Sequence, residues 1–230
     1  MLGPIVAAAA AVASACPPVS TAPQLPVRPG GIVLRGDVDG DGLRDVVSIR
    51  MAGAARMTCG FFLVVRSRRT RLAVRVPEFY KPPNDWSSAE FARWADEPYL
   101  LGLVALEPKG LGVLVARSHG ASTSEATLFV VRATQLVAVR VPFEFGGSVG
   151  TAVTQADCLR PRTRALVLTW VELWRWRFHR EVDRLEGTRL RRLRSRSFAV
   201  PATRGQRLMT RWHVSGSPFP SCTTVRGRRY

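Results

Sequence analysis

The chain has 230 residues, of which 46% are hydrophobic and 22% charged, and its formal net charge is +17 at pH 7. This length suits one globular domain, and the composition excludes an intrinsically disordered or collagen-like chain. Almost all of the cations are arginines, a bias typical of GC-rich codon usage, and the sequence carries no recognition helix, RNA-binding aromatic signature or zinc-finger spacing. The charge therefore does not predict a nucleic-acid partner, although it would attract anionic lipids or acidic envelope polymers.

The first segment, residues 1–15, reads MLGPIVAAAAAVASA. An apolar stretch followed by Ala13-Ser14-Ala15 is typical of a signal peptide and its cleavage site, and it is too short to span a bilayer. No other uncharged apolar run approaches the roughly 20 residues of a transmembrane helix. We therefore expect an exported protein.

Cys16 follows the small residues directly, as in the lipobox of bacterial lipoproteins, which this junction resembles. The resemblance implies a lipidated Cys16 and membrane attachment, and the alternative is ordinary secretion with Cys16 free or disulfide-bonded. Residues 16–31 contain five prolines, a density expected to prevent helix and strand pairing alike. This segment is predicted to be a tether, and residues 32–230 the folded domain.

A cluster of acidic residues follows the tether. Residues 36–45 read GDVDGDGLRD, with carboxylates at Asp37, Asp39, Asp41 and Asp45 and glycines that allow a tight turn. Hard oxygen ligands at alternate positions suit Ca²⁺, and the carbonyl of Leu43 adds a further ligand. The alternative is a solvated Asp-Gly turn without an ion.

An EF-hand is not predicted, because position 12 is Ser48 and the residues after Asp45, VVSIRM, indicate a strand. The loop instead resembles the calcium loop of FG-GAP or VCBS repeats, over residues 35–49 only. The resemblance implies a β-propeller-like, secreted protein with Asp37, Asp39, Asp41, the Leu43 carbonyl and Asp45 as ligands.

Internal repeats support a β fold. Residues 63–77 align without gaps on residues 128–142, sharing a closing AVRVP, and a weaker third copy ends at residues 198–201. The spacing of about 60 residues suits units of four short strands. We predict an all-β fold, propeller-like or of stacked antiparallel sheets, with about three units. In each unit an output strand (46–51, 100–106, 165–169) comes first, and a second strand follows in the first two (61–66, 112–117). A hairpin at residues 165–178, a turn at Glu186-Gly187 and one short helix near residues 88–95 complete the prediction.

Export permits disulfides. We predict a Cys158–Cys222 pair, because the tail before Cys222 has little apolar content to hold it in place; the alternative is that Cys59 replaces Cys158.

Catalytic signals are weak. His119 lies near Ser118 and Ser122 without a nucleophile elbow, and the pair Glu107 and Glu144 is not distinguished from two surface acids. The sequence therefore favours a calcium-stabilised binding or structural module of the cell envelope, with an unidentified protein or polymer as partner. A secreted hydrolase is the alternative, and an arginine-rich strip at residues 175–211 could bind a polyanion.

Overall fold

The computed structural model describes residues 16–51, 60–76, 98–119, 123–139, 144–145, 152–212, 214 and 221–227. The signal segment, the helix expected at residues 88–95 and Cys59 lie outside the described residues. Within them the chain forms three antiparallel sheets, so the all-β prediction with stacked sheets is confirmed. No helix of this described part is long and apolar enough to cross a membrane.

Each sheet is built on a four-stranded meander. The first contains β1 (Leu34–Gly36), β2 (Asp45–Met51), β3 (Phe61–Arg66) and β4 (Arg71–Arg75). The second contains β5 (Tyr99–Val104), β6 (Gly112–His119), β7 (Thr123–Arg132) and β8 (Gln135–Val139), and β9 (Glu144–Phe145) pairs with β7. The third contains β10 (Ala152–Cys158), β11 (Ala165–Glu172), β12 (Arg177–Glu186) and β13 (Arg189–Ala199). The last strand, β14 (Thr223–Arg226), returns to the second sheet beside β5.

The sheets stack with the second in the middle. Leu100 and Leu103 of β5 belong to a core shared with the first sheet, whereas Leu101 of the same strand belongs to a core shared with the third. All six residues of β5 are buried, as expected for a strand covered on both faces. The continuous apolar sequences of β3 and β5 are therefore explained by burial on both faces of these strands.

The internal repeat maps onto matching hairpins. Residues 63–77 include the end of β3 and all of β4, and the aligned residues 128–142 include the end of β7 and all of β8. Strands β12 and β13 form the third hairpin. The hairpin through Trp174 and the turn at Gly187, where φ is +61°, are confirmed. The expected equivalence of the output strands is wrong, because residues 46–51 and 165–169 lie in second strands while residues 100–106 lie largely in a first strand. The expectation failed because apolar content indicates how deeply a strand is buried and not its place in the unit, and β5 is buried as deeply as β2 or β11.

The proline-rich segment also differs from the expectation. Val19–Gln24 forms a 3-10 helix with Pro23 inside it, and Val27 pairs with Arg50 in an isolated bridge. Ala22 of this helix is buried against Phe62 and Val64 of β3. A short 3-10 turn tolerates proline, and burial of the sheet's outer face favours docking over an extended spacer.

A second helix closes the third sheet at one end. This helix, α1 (Ala202–Arg211), packs with Trp176 and Trp212 around Val171 and Phe178. Gly205 lies buried against the indole of Trp176, so a side chain there would collide with the ring. This helix was not expected from the sequence.

Candidate metal centre

The acidic loop connects β1 to β2. Gly36 and Asp45 face each other in the register of the two strands, so the loop between them closes a hairpin. Gly40 and Gly42 adopt φ of +82° and +86°, a left-handed conformation that side chains disfavour. These two glycines let the backbone curl so that the preceding and following carboxylates turn inward.

The carboxylates organise the loop through its backbone N–H groups. Asp37 accepts from Gly40 at 2.8 Å through Oδ1 and from Gly42 at 3.1 Å through Oδ2. Asp39 Oδ1 accepts from Asp41 at 3.1 Å. These contacts fix the turn while leaving lone pairs on every carboxylate for a further ligand.

Asp45 is the central residue of the site. Its side chain is completely buried, and its Oδ2 accepts from the N–H groups of Val38 at 2.8 Å and Asp39 at 3.2 Å. Its Oδ1 is buried and has no hydrogen-bond partner. Burial raises the pKa of Asp45, the charges of Asp39 and Asp41 add to the increase, and the two backbone hydrogen bonds oppose it.

Asp37, Asp39 and Asp45 each place an oxygen within 4.8 Å of the other two. A buried carboxylate that has one unpartnered oxygen and lies close to two further carboxylates is costly unless a cation or a proton neutralises it. The donor set is all oxygen, which is the chemistry that Ca²⁺ prefers. The residues present therefore fit a calcium ion.

Of the five ligands inferred from the sequence, three form this group. Asp41 is exposed, is not part of the group, and accepts a hydrogen bond from the N–H of Leu43 at 2.8 Å through Oδ1. Asp41 therefore lies at the rim, where it lends negative charge to the site.

A second turn, at Glu107-Pro108-Lys109-Gly110, supports this loop; the turn itself was expected from the sequence, but its contact with the acidic loop was not. Leu111 donates its N–H to the carbonyl of Asp37 at 2.8 Å. Gly110 has a φ of +71°, and a side chain on it would come within 2.6 Å of the Val38 carbonyl. The glycine after Glu107-Pro108-Lys109 is the only signal that could have found this contact.

Glu107 of that second turn is held by arginines. Arg132 donates to its Oε2 at 2.7 Å and to its Oε1 at 3.0 Å, and Arg164 Nε lies 3.5 Å from Oε1. Arg132 also donates to the Gly187 carbonyl, linking the second and third sheets. Glu107 is thus engaged in ion pairs with arginines. The side chain of Glu144, with which Glu107 was considered as a catalytic acid pair, lies outside the described part of the structure.

The histidines do not assemble a hydrolytic site among the described side chains. His179 Nε2 lies 2.9 Å from Glu172 Oε1, and its ring stacks on Trp170. The side chain of His119, and all of His213, lie outside the description. No described contact therefore favours the hydrolase alternative.

The predicted disulfide between Cys158 and Cys222 is present, with a Cα–Cα distance of 5.8 Å. It joins the end of β10 to the residue before β14, so it links the third sheet to the second. Cys16 is also disulfide-bonded. A sulfur in a disulfide cannot carry a thioether-linked lipid, so this bond and lipidation of Cys16 exclude each other.

Comparison with protein-family models, curated proteins and solved structures found no match. The resemblance to FG-GAP or VCBS calcium loops therefore depends on the loop residues and their geometry alone.

Proposed function

We propose that this protein is an exported, calcium-stabilised β-repeat module of the cell envelope that serves binding or structural purposes. The observation that carries the proposal is the unpartnered Oδ1 of the fully buried Asp45 beside Asp37 and Asp39. In a folded protein such an oxygen nearly always has a partner, and a cation is the partner that three carboxylates favour.

Calcium is preferred over other cations by the ligand chemistry. Zinc and copper favour nitrogen or sulfur ligands, and the group of acids contains neither histidine nor cysteine. Magnesium demands near-ideal octahedral geometry and keeps most of its water. A turn that places two half-buried aspartates around one buried carboxylate is more compatible with the flexible, larger coordination shell of Ca²⁺.

The proposed role of the ion is structural. The loop contacts the second sheet through the Asp37 carbonyl and the packing of Gly110 on Val38. An ion that fixes the loop would therefore also fix how the first sheet lies against the second.

Export is supported by the signal-like residues 1–15 and by the disulfides, which persist in oxidising compartments. The state of the Cys16 sulfur distinguishes secretion from lipid anchoring. Mass spectrometry of the mature N-terminus should find residues 1–15 removed. A diacylglyceryl adduct on Cys16 would indicate a membrane-anchored form, a disulfide-linked Cys16 peptide a secreted one, and an intact Met1 would contradict export.

The calcium proposal is tested by isothermal titration of the chelator-treated protein. We expect one bound Ca²⁺ per chain in the wild type and in a Glu186→Gln control, which removes an exposed acid on β12. Asp45→Asn should show no binding, because the amide is neutral and places N–H donors where an anionic ligand is required. Absence of binding to the wild type, or undiminished binding to Asp45→Asn, would refute the proposal.

A further inference from the structure

Three arginines surround a small cavity on one face of the third sheet, far in sequence from the acidic loop. Arg180 of β12 faces Arg196 of β13 directly across the two strands, and Arg194 faces Val182 two pairs further along, on the same face of the sheet. A cavity of about 120 Å³ lies among Arg180, Val182, Arg194, Ser195 and Arg196. Like charges directly opposite in a sheet destabilise the pairing, so this arrangement requires a compensating interaction.

The protein itself supplies little compensation. None of the three guanidinium groups forms an ion pair with an acid among the described residues. Glu181, the acid next to Arg180 in β12, is bound instead by Arg192 at 2.7 Å and by the Ser195 hydroxyl at 3.3 Å. Among the charges that affect the pKa of Arg180, that of Asp157 has the smallest effect.

Arg180 carries an unsatisfied donor inside the fold. Its Nε is buried and has no hydrogen-bond acceptor. Burial lowers the pKa of Arg180, and the charges of Arg196 and then Arg194 lower it further. A buried guanidinium N–H without an acceptor, next to two further cations, marks a place where an anion would be favourable.

Aromatic rings hold two of the guanidinium groups in place. Arg180 lies over the Trp212 ring at 4.6 Å, and Arg196 lies over the Phe198 ring at 5.2 Å. A cation–π contact occupies the space over the ring and leaves the guanidinium N–H groups that point away from the ring free to donate. The two arginines are therefore oriented before any ligand binds, which reduces the entropy lost on binding.

We propose that Arg180, Arg194 and Arg196 form a binding site for a phosphoryl group. The planar donor fork of arginine matches the oxygens of a phosphate, and a dianion balances more of the local charge than a single carboxylate does. The cavity suits a group of this size, and Arg194 and Arg196 are exposed, so the rest of a ligand would extend into solvent. This site is independent of the proposed calcium loop and would supply the module with a phosphorylated partner.

The test uses the full mature protein in the presence of a calcium chelator, so that loss of calcium binding does not affect the outcome. Inorganic phosphate should raise the melting temperature above that in sodium chloride of equal ionic strength. Arg180→Gln should weaken phosphate binding about ten- to a hundredfold. Arg177→Gln, which removes an exposed arginine on the opposite face of the same strand, should change it by less than about twofold.

Two further measurements complete the design. Arg194→Gln, at an exposed position, should also weaken binding and serves if the Arg180 variant fails to fold. Flotation with vesicles containing phosphatidic acid, compared with neutral vesicles, distinguishes a lipid headgroup from a free phosphate: binding that depends on Arg180 identifies the lipid source, and phosphate binding alone identifies a soluble one. No phosphate-specific stabilisation, or equal losses in the Arg177 and Arg180 variants, would overturn the proposal.

Discussion

Replacing Asp45 by asparagine separates the two forces that act on the acidic loop. The side chain keeps its shape, and the amide oxygen can still accept from the N–H groups of Val38 and Asp39, as Oδ2 does now. The substitution removes the buried negative charge and the acceptor Oδ1 that has no partner. Without calcium it relieves repulsion, and with calcium it removes a ligand.

The size of both effects follows from the geometry. At the 4.8 Å that bounds the carboxylate oxygens, two unit charges repel by roughly 0.9 kcal/mol in water and roughly 3.5 kcal/mol at an effective dielectric constant of about 20. The lower figure applies to Asp37 and Asp39, which are only half-buried, and the higher one to pairs that include Asp45. The ion-free Asp45→Asn protein should therefore be at least as stable as the ion-free wild type.

We expect calcium to reverse this order of stability. Extracellular calcium modules have dissociation constants of roughly 10⁻⁴ to 10⁻³ M, and at 10 mM calcium such a site stabilises the folded state by about 1.4 to 2.7 kcal/mol. For a chain of this length that corresponds to a rise in melting temperature of about 3 to 11 °C. The Asp45→Asn protein should shift by less than about 1 °C.

The assay is thermal unfolding followed by circular dichroism, with EDTA and then with 10 mM calcium, and with magnesium as the ionic-strength control. We expect the melting temperature of the variant to be equal to or higher than that of the wild type in EDTA, and lower than that of the wild type in calcium. A variant that is several degrees less stable than the wild type in EDTA would show that the buried carboxylate stabilises the loop without an ion. That result would refute the reasoning.

Three further predictions concern the rest of the fold. Cys222→Ser, which opens a link across 64 residues to Cys158, should cost about 4 kcal/mol on the chain-entropy model and lower the melting temperature by about 8 to 16 °C, measured against the oxidised wild type. Gly205→Ala should destabilise by about 1 to 2 kcal/mol in chemical denaturation, because the collision with Trp176 outweighs the gain in helix propensity; a more stable variant would contradict the packing. Burial and the charge of Glu181 raise the pKa of Asp183 above its ordinary 3.8. The contribution of Asp183 to the free energy of unfolding is therefore largest below pH 3.8, where its carboxyl is protonated, and is lost as the pH rises through the pKa of Asp183 in the folded protein. Asp183→Asn should therefore unfold at higher temperature than the wild type at pH 7, with the difference disappearing below pH 3.8; a difference independent of pH would contradict this.

The parts of the fold that the sequence predicted are those governed by local patterns. Continuous apolar runs at residues 61–65 and 99–106 identify strands, and the repeated segments that begin at residues 63 and 128 fall on corresponding hairpins in two sheets. The alternation of aspartate and glycine after residue 36 identified the loop in which Asp37, Asp39 and Asp45 meet. In these segments, residues close in the chain determine the conformation.

The features that the sequence did not predict depend on contacts between distant segments. Burial of Ala22 against Phe62 draws a proline-rich segment into the fold, although nothing within residues 16–31 indicates it. The order of the strands within each unit also could not be predicted from local sequence. Because β5 lies between two sheets, it is as apolar as a second strand such as β2 or β11, although it is the first strand of its unit. The cross-strand pairing of Arg180 with Arg196 also depends on register, including the irregularity after Val182, which no local pattern reveals.

The loops that join the first and second strands of each sheet lie next to one another, and two of them differ in how a buried acid is neutralised. They lie side by side: Leu111 of the second loop donates to Asp37 of the first, and Arg164 of the third donates its backbone N–H to Leu106 of the second at 2.7 Å. Each of the first two loops holds a buried acid, Asp45 in one and Glu107 in the other.

Arginines neutralise Glu107, whereas Asp45 has only backbone donors and an oxygen without a partner. A buried acid needs a counter-charge, and where the chain does not provide one a bound cation can. The proposed calcium ion would supply this counter-charge in the first loop, as Arg132 and Arg164 do in the second. Chelation should therefore loosen the contact between the first and second sheets while leaving the contact between the second and third intact.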